Sequence, residues 1–464
     1  MTDLNSWSEA TARLNRILSG DIDAEHILSP GDSRFQEAAR VWNGAVDAAP
    51  AMIVRSGSAI EVQYAVRAAR EAGVPLSVKG GGHDWAGRSA GVPGGLVIDL
   101  AGMRQVDVQP ATRTATVGGG ATAGDVIGAG APHGLVTATG TSATVGMAGF
   151  AMGGGYGPGA AKYGLALDNV ISAQVVLADG RLVTADATTE PDLLWAIKGG
   201  GGNFGVVTSL EMRMHTLETA LSGFLIFGPH QAAQVWHGIE DIVADAPEDL
   251  LVDSAFITSP EGDPAILVSP TWLGEHAAGE PYLDRLRSLG TVFASQIGPV
   301  PWSAMIGFVD TIAPPGRHYR LRTRTVAGFS DDVVATLLAA GNGRTSPFST
   351  LPLHSFRGAA ARVPADATAF ALRVPHYMVE IIGSWEPGDP RADEHRRWVE
   401  HTADALAEHA LPGGYVNLLG PDETDRAADT FGANTARLLA AKATYDPQNI
   451  FNAVPLPQRP KGAS

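Results

Sequence analysis

No cysteine occurs among the 464 residues, which excludes disulfides and thiolate metal sites and makes a cytoplasmic protein the simplest reading. Positive charge is also short. The 33 Lys and Arg against 49 Asp and Glu leave a net charge of −16, which sets the surface against nucleic acid and anionic membrane. No apolar run is long enough to span a bilayer. Met1-Thr2-Asp3-Leu4-Asn5 has neither a basic region nor an apolar core, so no signal peptide is expected. Two motifs are missing as well: a His-Glu-x-x-His helix and a Walker lysine loop. Metalloenzyme and phosphate-loop readings therefore lose their usual signatures, and no metal is expected. Among the scattered histidines, His395, His401 and His409 fall in a charged helical stretch and are expected to face solvent.

What the chain does have is glycine in runs. Val78-Lys79-Gly80-Gly81-Gly82-His83-Asp84-Trp85-Ala86-Gly87 places one histidine behind three glycines at the end of an apolar strand. Such a run lets backbone press against a ligand, and successive amides can form an anion nest. A second stretch, Gly140-Thr141-Ser142-Ala143-Thr144-Val145-Gly146, runs on through Gly149 to Gly153-Gly154-Gly155-Tyr156-Gly157. Two such loops are expected to clasp opposite sides of one bulky, phosphate-bearing cofactor. A third run, Gly118-Gly119-Gly120, imitates a dinucleotide fingerprint. The acidic residue a ribose would need about 20 positions on is absent, however, the chain there reading Val136-Thr137-Ala138-Thr139.

A length of 464 residues is long for one core and suggests two or more domains. Ser58 and Glu61 have capping-box spacing before a helix that Gly73 and Pro75 would stop. Strands follow at Leu76 to Val78, Leu96 to Leu100 and Thr114 to Val117. Ala173 to Ala178 and Arg181 to Ala185 read as a hairpin on a two-residue Asp179-Gly180 turn. Thr189 and Pro191 start a helix that runs through Lys198. Leu210, Met212 and Met214 alternate as in a half-buried strand. From about residue 216 the texture changes to longer spacings without glycine clusters. Val252 to Thr258 and Ala265 to Thr271 suggest an antiparallel pair, with helices at His230 to Ala244, Asp331 to Ala340 and Ala392 to His409.

In order and spacing, these pieces resemble the berberine bridge enzyme-like FAD-linked oxidases of the vanillyl-alcohol oxidase (PCMH) flavoprotein superfamily. The resemblance runs from Trp42-Asn43-Gly44 through both glycine loops, Lys162-Tyr163-Gly164, Asp168-Asn169 and Asn203-Phe204-Gly205. It ends in Tyr415-Val416-Asn417 and Tyr445-Asp446-Pro447. It implies an α+β, two-domain PCMH-type fold: an FAD-binding domain over 1–215 (core about 45–215), an antiparallel-sheet substrate domain backed by helices over 216–411, and a segment 412–464 returning to the first domain. It also implies an FAD bonded at its 8α-methyl to His83. Relatives add a cysteinyl bond from the second loop. Ser142 stands at that place here, so attachment through histidine alone is expected.

The cofactor contacts the resemblance implies are Lys79, Gly80, Gly81, Gly82, His83, Asp84, Gly140, Thr141, Thr144, Val145, Gly146, Gly149, Gly153, Gly155, Tyr156, Gly205, Val207, Tyr415 and Asn417. The activity implied is oxidation of an alcohol, sugar, amine or natural-product intermediate of secondary metabolism, with molecular oxygen as acceptor. A dehydrogenase or oxidative cyclase, or a flavin-binding protein without turnover, stays open. For the catalytic base there are two candidates. Glu380 shares a strand face with Met378 and Ile382, and apolar surroundings raise a carboxyl's basicity. The alternative for Glu380 is an ion pair with Arg373, Arg322 or Arg362. Tyr415 is the other candidate, as base or as hydrogen-bond donor to the substrate.

Overall fold

In the computed structural model, which describes residues 4–457, Ser58 caps the helix Ala59–Ala72 by accepting the Glu61 N–H, and Gly73 ends it at φ 70°. Met1, Thr2 and Asp3, at the head of the stretch read for a leader, lie outside the described residues. The apolar face of this helix, Val62, Ala65, Val66 and Ala69, lies between two sheets and shares one core with Met52, Leu96, Val176 and Val206. The first sheet has four strands in the order Ile27–Leu28, Met52–Arg55, Leu96–Asp99, Leu76–Lys79, the last three parallel. The second is antiparallel throughout, in the order Val106–Gln109, Thr114–Gly118, Val206–Arg213, Val170–Val176, Leu182–Ala185.

The third sheet carries seven antiparallel strands in the order Val292–Val300, Ala220–Phe227, Pro264–Trp272, Leu250–Thr258, Leu351–Phe356, His376–Trp385, His318–Val326. Period-two alternation gives it unlike faces. Leu353, Val379 and Ile381 point into a core with Trp236, Leu337 and Val399 from the helices Ala232–Asp245, Asp331–Asn342 and Ala392–Ala407. Each large side chain buried there contributes about 1.5–3 kcal/mol. His354, Met378 and Glu380 belong to the other face. After Leu411 the chain returns to the glycine-rich part, where Val416, Phe431 and Leu438 join the core of Ala115 and Leu210. The fold is thus mixed α+β, with an antiparallel sheet backed by helices. Among the described residues no helix is long and apolar enough to cross a membrane, and no group of His, Asp and Glu is arranged to hold a metal ion.

Three local readings are corrected. The hairpin turn is a three-residue loop, Ala178-Asp179-Gly180: Gly180 alone has positive φ (81°), the Gly180 N–H donates to Leu177 O and the Leu177 N–H to Arg181 O. The two-residue type I′ turn needs positive φ at both central residues, and Asp179 does not supply it. The helix Pro191–Gly200 is preceded by Glu190 at φ 48° rather than capped by Thr189, whose N–H and O both serve Asp186. His395 is fully buried, its ring tilted against Trp385 and bonded to Thr345 Oγ1 at 2.7 Å, because it lies on the core face of its helix. His401 is exposed as expected, while His409 is half-buried. The strand Val106–Gln109 and the helix Ala123–Gly130, opened by a Thr122–Asp125 capping box, were not anticipated.

Candidate active site

The strand Leu76–Lys79 ends in the first glycine loop, where Gly82 at φ 70° turns the chain and delivers His83. His83 Nε2 lies 2.6 Å from Thr144 Oγ1, and the ring of Trp42 stacks on the imidazole at 5.4 Å and on Tyr319 at 3.8 Å. Burial pushes the imidazole down to about 4, with the Asp310 charge only partly opposing, so the ring is neutral at physiological pH. A neutral ring keeps one bare nitrogen lone pair. Asn43 anchors the neighbourhood, donating to Trp85 O (2.6 Å) and Tyr319 O (3.0 Å) and accepting the Tyr319 N–H.

The two loops do not stand apart around a gap. A Cβ on Gly81 would run into the backbone of Gly146 and Thr144, so the loops touch backbone to backbone at that point. Gly140 lies against the Phe150 ring, the Thr141 carbonyl accepts the Gly307 N–H, and the Val145 carbonyl accepts the Ala123 N–H. Gly149 is exposed on the short helix Met147–Gly153, with open space where a Cβ would project. Gly153 leaves room for Asn417, and the Gly155 N–H donates to Tyr415 Oη at 2.9 Å. Gly80 faces Gly119 O. Lys79 and Asp84 turn to protein partners instead, Lys79 Nζ to Ala38 O at 2.6 Å and Asp84 to Arg88. Gly205 and Val207 lie elsewhere, beside Val175 on the five-stranded sheet.

The seven-stranded sheet brings its polar face to the second loop. Tyr156 Oη bonds His376 Nε2 at 2.8 Å and its ring meets Tyr415 edge-on at 4.9 Å. Tyr415 Oη also accepts from Asn417 Nδ2 at 2.9 Å. Burial raises this phenol to about 12, and the nearby Glu380 charge pushes the same way against the donors from Gly155 and Asn417. The geometry therefore favours Tyr415 as a hydrogen-bond donor over a base.

Glu380 is not in an apolar setting, and none of the three arginines reaches it. Arg373 forms a two-pronged pair with Asp168, Arg322 pairs with Glu400 and Asp422, and Arg362 with Glu248. Its partner is His354, Nε2 to Oε1 at 3.3 Å, whose Nδ1 lies 3.6 Å from Asp253 Oδ2. Burial would drive His354 down, but Glu380 and Asp253 overcome it and raise the imidazole to about 10. At pH 7 an imidazolium stands between two carboxylates.

This shift has a stability consequence. The folded value lies above the unfolded one of about 6.5, so the stabilisation is full below about pH 6.5 and is lost as pH rises towards 10. The stability gap between the wild type and His354→Gln, measured by urea unfolding, should narrow steadily from pH 6 to pH 10. A gap that stays constant or widens contradicts the charged cluster.

The loops fit a flat cofactor carrying a diphosphate. Within the described residues no backbone N–H from Gly81 to Asp84 donates a hydrogen bond, so that row of amides is available to an anion. Gly149, on the helix that follows the second loop, faces open space, and neutral His83 has a lone pair to offer. Sequence reasoning missed Asn43, Asp253, Asp310 and His354. The spacing of Trp42-Asn43-Gly44 was a signal for the first, and nothing local marked the others.

Comparison with known proteins agrees. A family model described as "FAD binding domain" matches residues 50–186, and one described as "Berberine and berberine like" matches residues 414–454. An FAD-linked oxidoreductase of Bacillus subtilis is 30% identical over 438 residues, covering 92% of this chain and 96% of that protein. A xylooligosaccharide oxidase of Thermothelomyces thermophilus is 26% identical, covering 92% of this chain and 90% of the relative. The crystal structure of 6-hydroxy-D-nicotine oxidase from Arthrobacter nicotinovorans superposes with a TM-score of 0.84 at 26% identity, covering 92% of this chain and 96% of the other.

Proposed function

The chain belongs to the berberine bridge enzyme-like FAD-linked oxidoreductases, and on that premise we propose that it is an oxidase whose FAD is attached through His83 alone. The observation that carries this reading is the neutral His83 imidazole, held between Trp42 and Thr144 at the end of a glycine loop with unbonded amides. The missing cysteine, with Ser142 in the second loop, supports a single link. Bound there, FAD would supply a hydride acceptor for the substrate carbon and a two-electron route to molecular oxygen, with hydrogen peroxide as the by-product.

The chain's own residues do the rest. The amides of Gly81 to Asp84 hold the diphosphate, while Gly140, Thr141, Gly146 and Gly149 line the other side of the cofactor, with Gly205 and Val207 near the adenine end. Glu380 takes the proton that leaves the substrate oxygen or nitrogen. Tyr415, fixed by Gly155 and Asn417 donating to its oxygen, donates its own hydrogen to the substrate. The aromatic rings of Tyr156, Phe356 and Phe370 pack on one another and give Tyr415 an apolar backing. The division of labour runs with the chain: 1–215 for FAD, 216–411 for the substrate, 412–464 returning to the first part with Tyr415 and Asn417. The substrate is a small alcohol, sugar, amine or natural-product intermediate.

Val145 stands where a small side chain leaves a path for oxygen. Val145→Ile adds one methylene, which fills a passage for a diatomic molecule while changing packing by about 1–3 kcal/mol. Reoxidation of the reduced enzyme by oxygen should slow while reduction by substrate changes little, both followed by stopped-flow absorbance. Equal slowing of the two half-reactions would make Val145 structural only. The oxidase reading itself is tested by assaying peroxide over a panel of alcohols, sugars and amines. Substrate oxidation that proceeds with an artificial dye but yields no peroxide in air would replace it by a dehydrogenase.

A further inference from the structure

The attachment proposed above leaves open what readies His83, and one carboxylate outside the glycine loops bears on it. Asp310, on the short helix Phe308–Ile312, reaches back to the second loop and accepts three bonds there: from the Ser142 hydroxyl, from the Ala143 N–H at 2.8 Å and from Thr144 Oγ1 at 3.3 Å. Beside it the Gly307 N–H donates to Thr141 O at 2.8 Å. The segment is thus tied to the loop that faces His83.

Counting hydrogens limits the direction of these bonds. A carboxylate only accepts, and each hydroxyl has one hydrogen to give. Ser142 gives its hydrogen to Asp310. Thr144 gives its own either to Asp310 at 3.3 Å or to Ser142 Oγ at 3.2 Å. With its hydrogen given to either of these, the Thr144 oxygen has only lone pairs left for His83, and the 2.6 Å contact then puts a hydrogen on Nε2, the arrangement that keeps every one of these contacts a hydrogen bond to or from Thr144. The neutral ring then has a bare Nδ1, for which the described residues offer no hydrogen-bond partner.

We propose that Asp310, acting through Thr144, is the positioning residue that holds His83 in the Nε2–H form and receives that proton when the flavin is attached. Attachment exchanges one C–H of the 8α-methyl for a C–Nδ1 bond, releasing two protons and two electrons, which molecular oxygen takes up as hydrogen peroxide. One of the two protons is the ring's Nε2–H. Thr144 accepts it while handing its own hydrogen to Asp310, so the alkylated ring ends neutral. Ser142, close to the same carboxylate, helps hold it in place.

The test reads the bond rather than turnover. Wild type, Asp310→Asn, Thr144→Val and Thr144→Ser are purified with their flavin, denatured in acid, and the flavin is divided between pellet and supernatant. The wild type should keep its flavin in the pellet, and its isolated flavopeptide should be linked through Nδ1. Thr144→Val and Asp310→Asn should bind flavin in the native state but attach it roughly a hundredfold more slowly, so that most is released. Thr144→Ser, which keeps the hydroxyl, should retain it. Full retention in Thr144→Val, or a link through Nε2, would overturn the proposal. Should Asp310→Asn fail to fold, the Thr144 pair decides alone. Release from the wild type would refute the attachment itself, and is read before any variant is compared.

Discussion

Glu380→Gln is expected to slow flavin reduction at saturating substrate by roughly two orders of magnitude or more, the range that a positioned general base contributes. Glutamine keeps the shape of the side chain and its place on the strand His376–Trp385 but cannot take a proton. It also leaves the His354 imidazolium with Asp253 as its one remaining carboxylate partner among those described. Anaerobic stopped-flow, which isolates the reductive half-reaction, is the measurement. Tyr415→Phe should also slow reduction, because it removes the donor that Gly155 and Asn417 fix, while leaving the proton acceptor in place. A Glu380→Gln enzyme that is reduced near the wild-type rate while Tyr415→Phe abolishes reduction would transfer the role of base to Tyr415, despite a phenol raised to about 12.

His83→Ala carries the second large effect. The mutant should still bind FAD, since the unbonded amides of Gly81 to Asp84 and the second loop remain, but all of its flavin should wash out with denaturant and its activity should fall. Loss of the imidazole also removes the ring on which Trp42 stacks and the partner of Thr144. Flavin that stays on the denatured His83→Ala chain would place the link on another residue.

Much of the scaffold was legible because its signals are local. Ser58, Glu61 and Gly73 bracket one helix within sixteen positions, and Leu210 to Met214 declare a half-buried strand by alternation alone. The glycine runs and the single histidine behind the first were equally plain, and the resemblance they carry pointed to the FAD-binding fold. What could not be read is what folding brings together from far apart. Asp253, His354 and Glu380 come from three strands of one sheet, and no spacing along the chain announces that an imidazolium will stand between two carboxylates. Asp310 reaches Ser142 across 168 positions. The apolar neighbours of Glu380 in sequence suggested an apolar setting, but on a sheet the side chains across the strand decide the environment, and there the neighbour is His354. His395 was misjudged for the related reason that a charged helix still has one buried face.

The central claim, a single bond between FAD and His83, is tested most directly by mass spectrometry of the proteolysed wild-type protein. The account predicts that the peptide containing His83 carries the added mass of FAD, with the modification on His83 and on no other residue. An unmodified His83 peptide, with the flavin recovered free after denaturation, would contradict it.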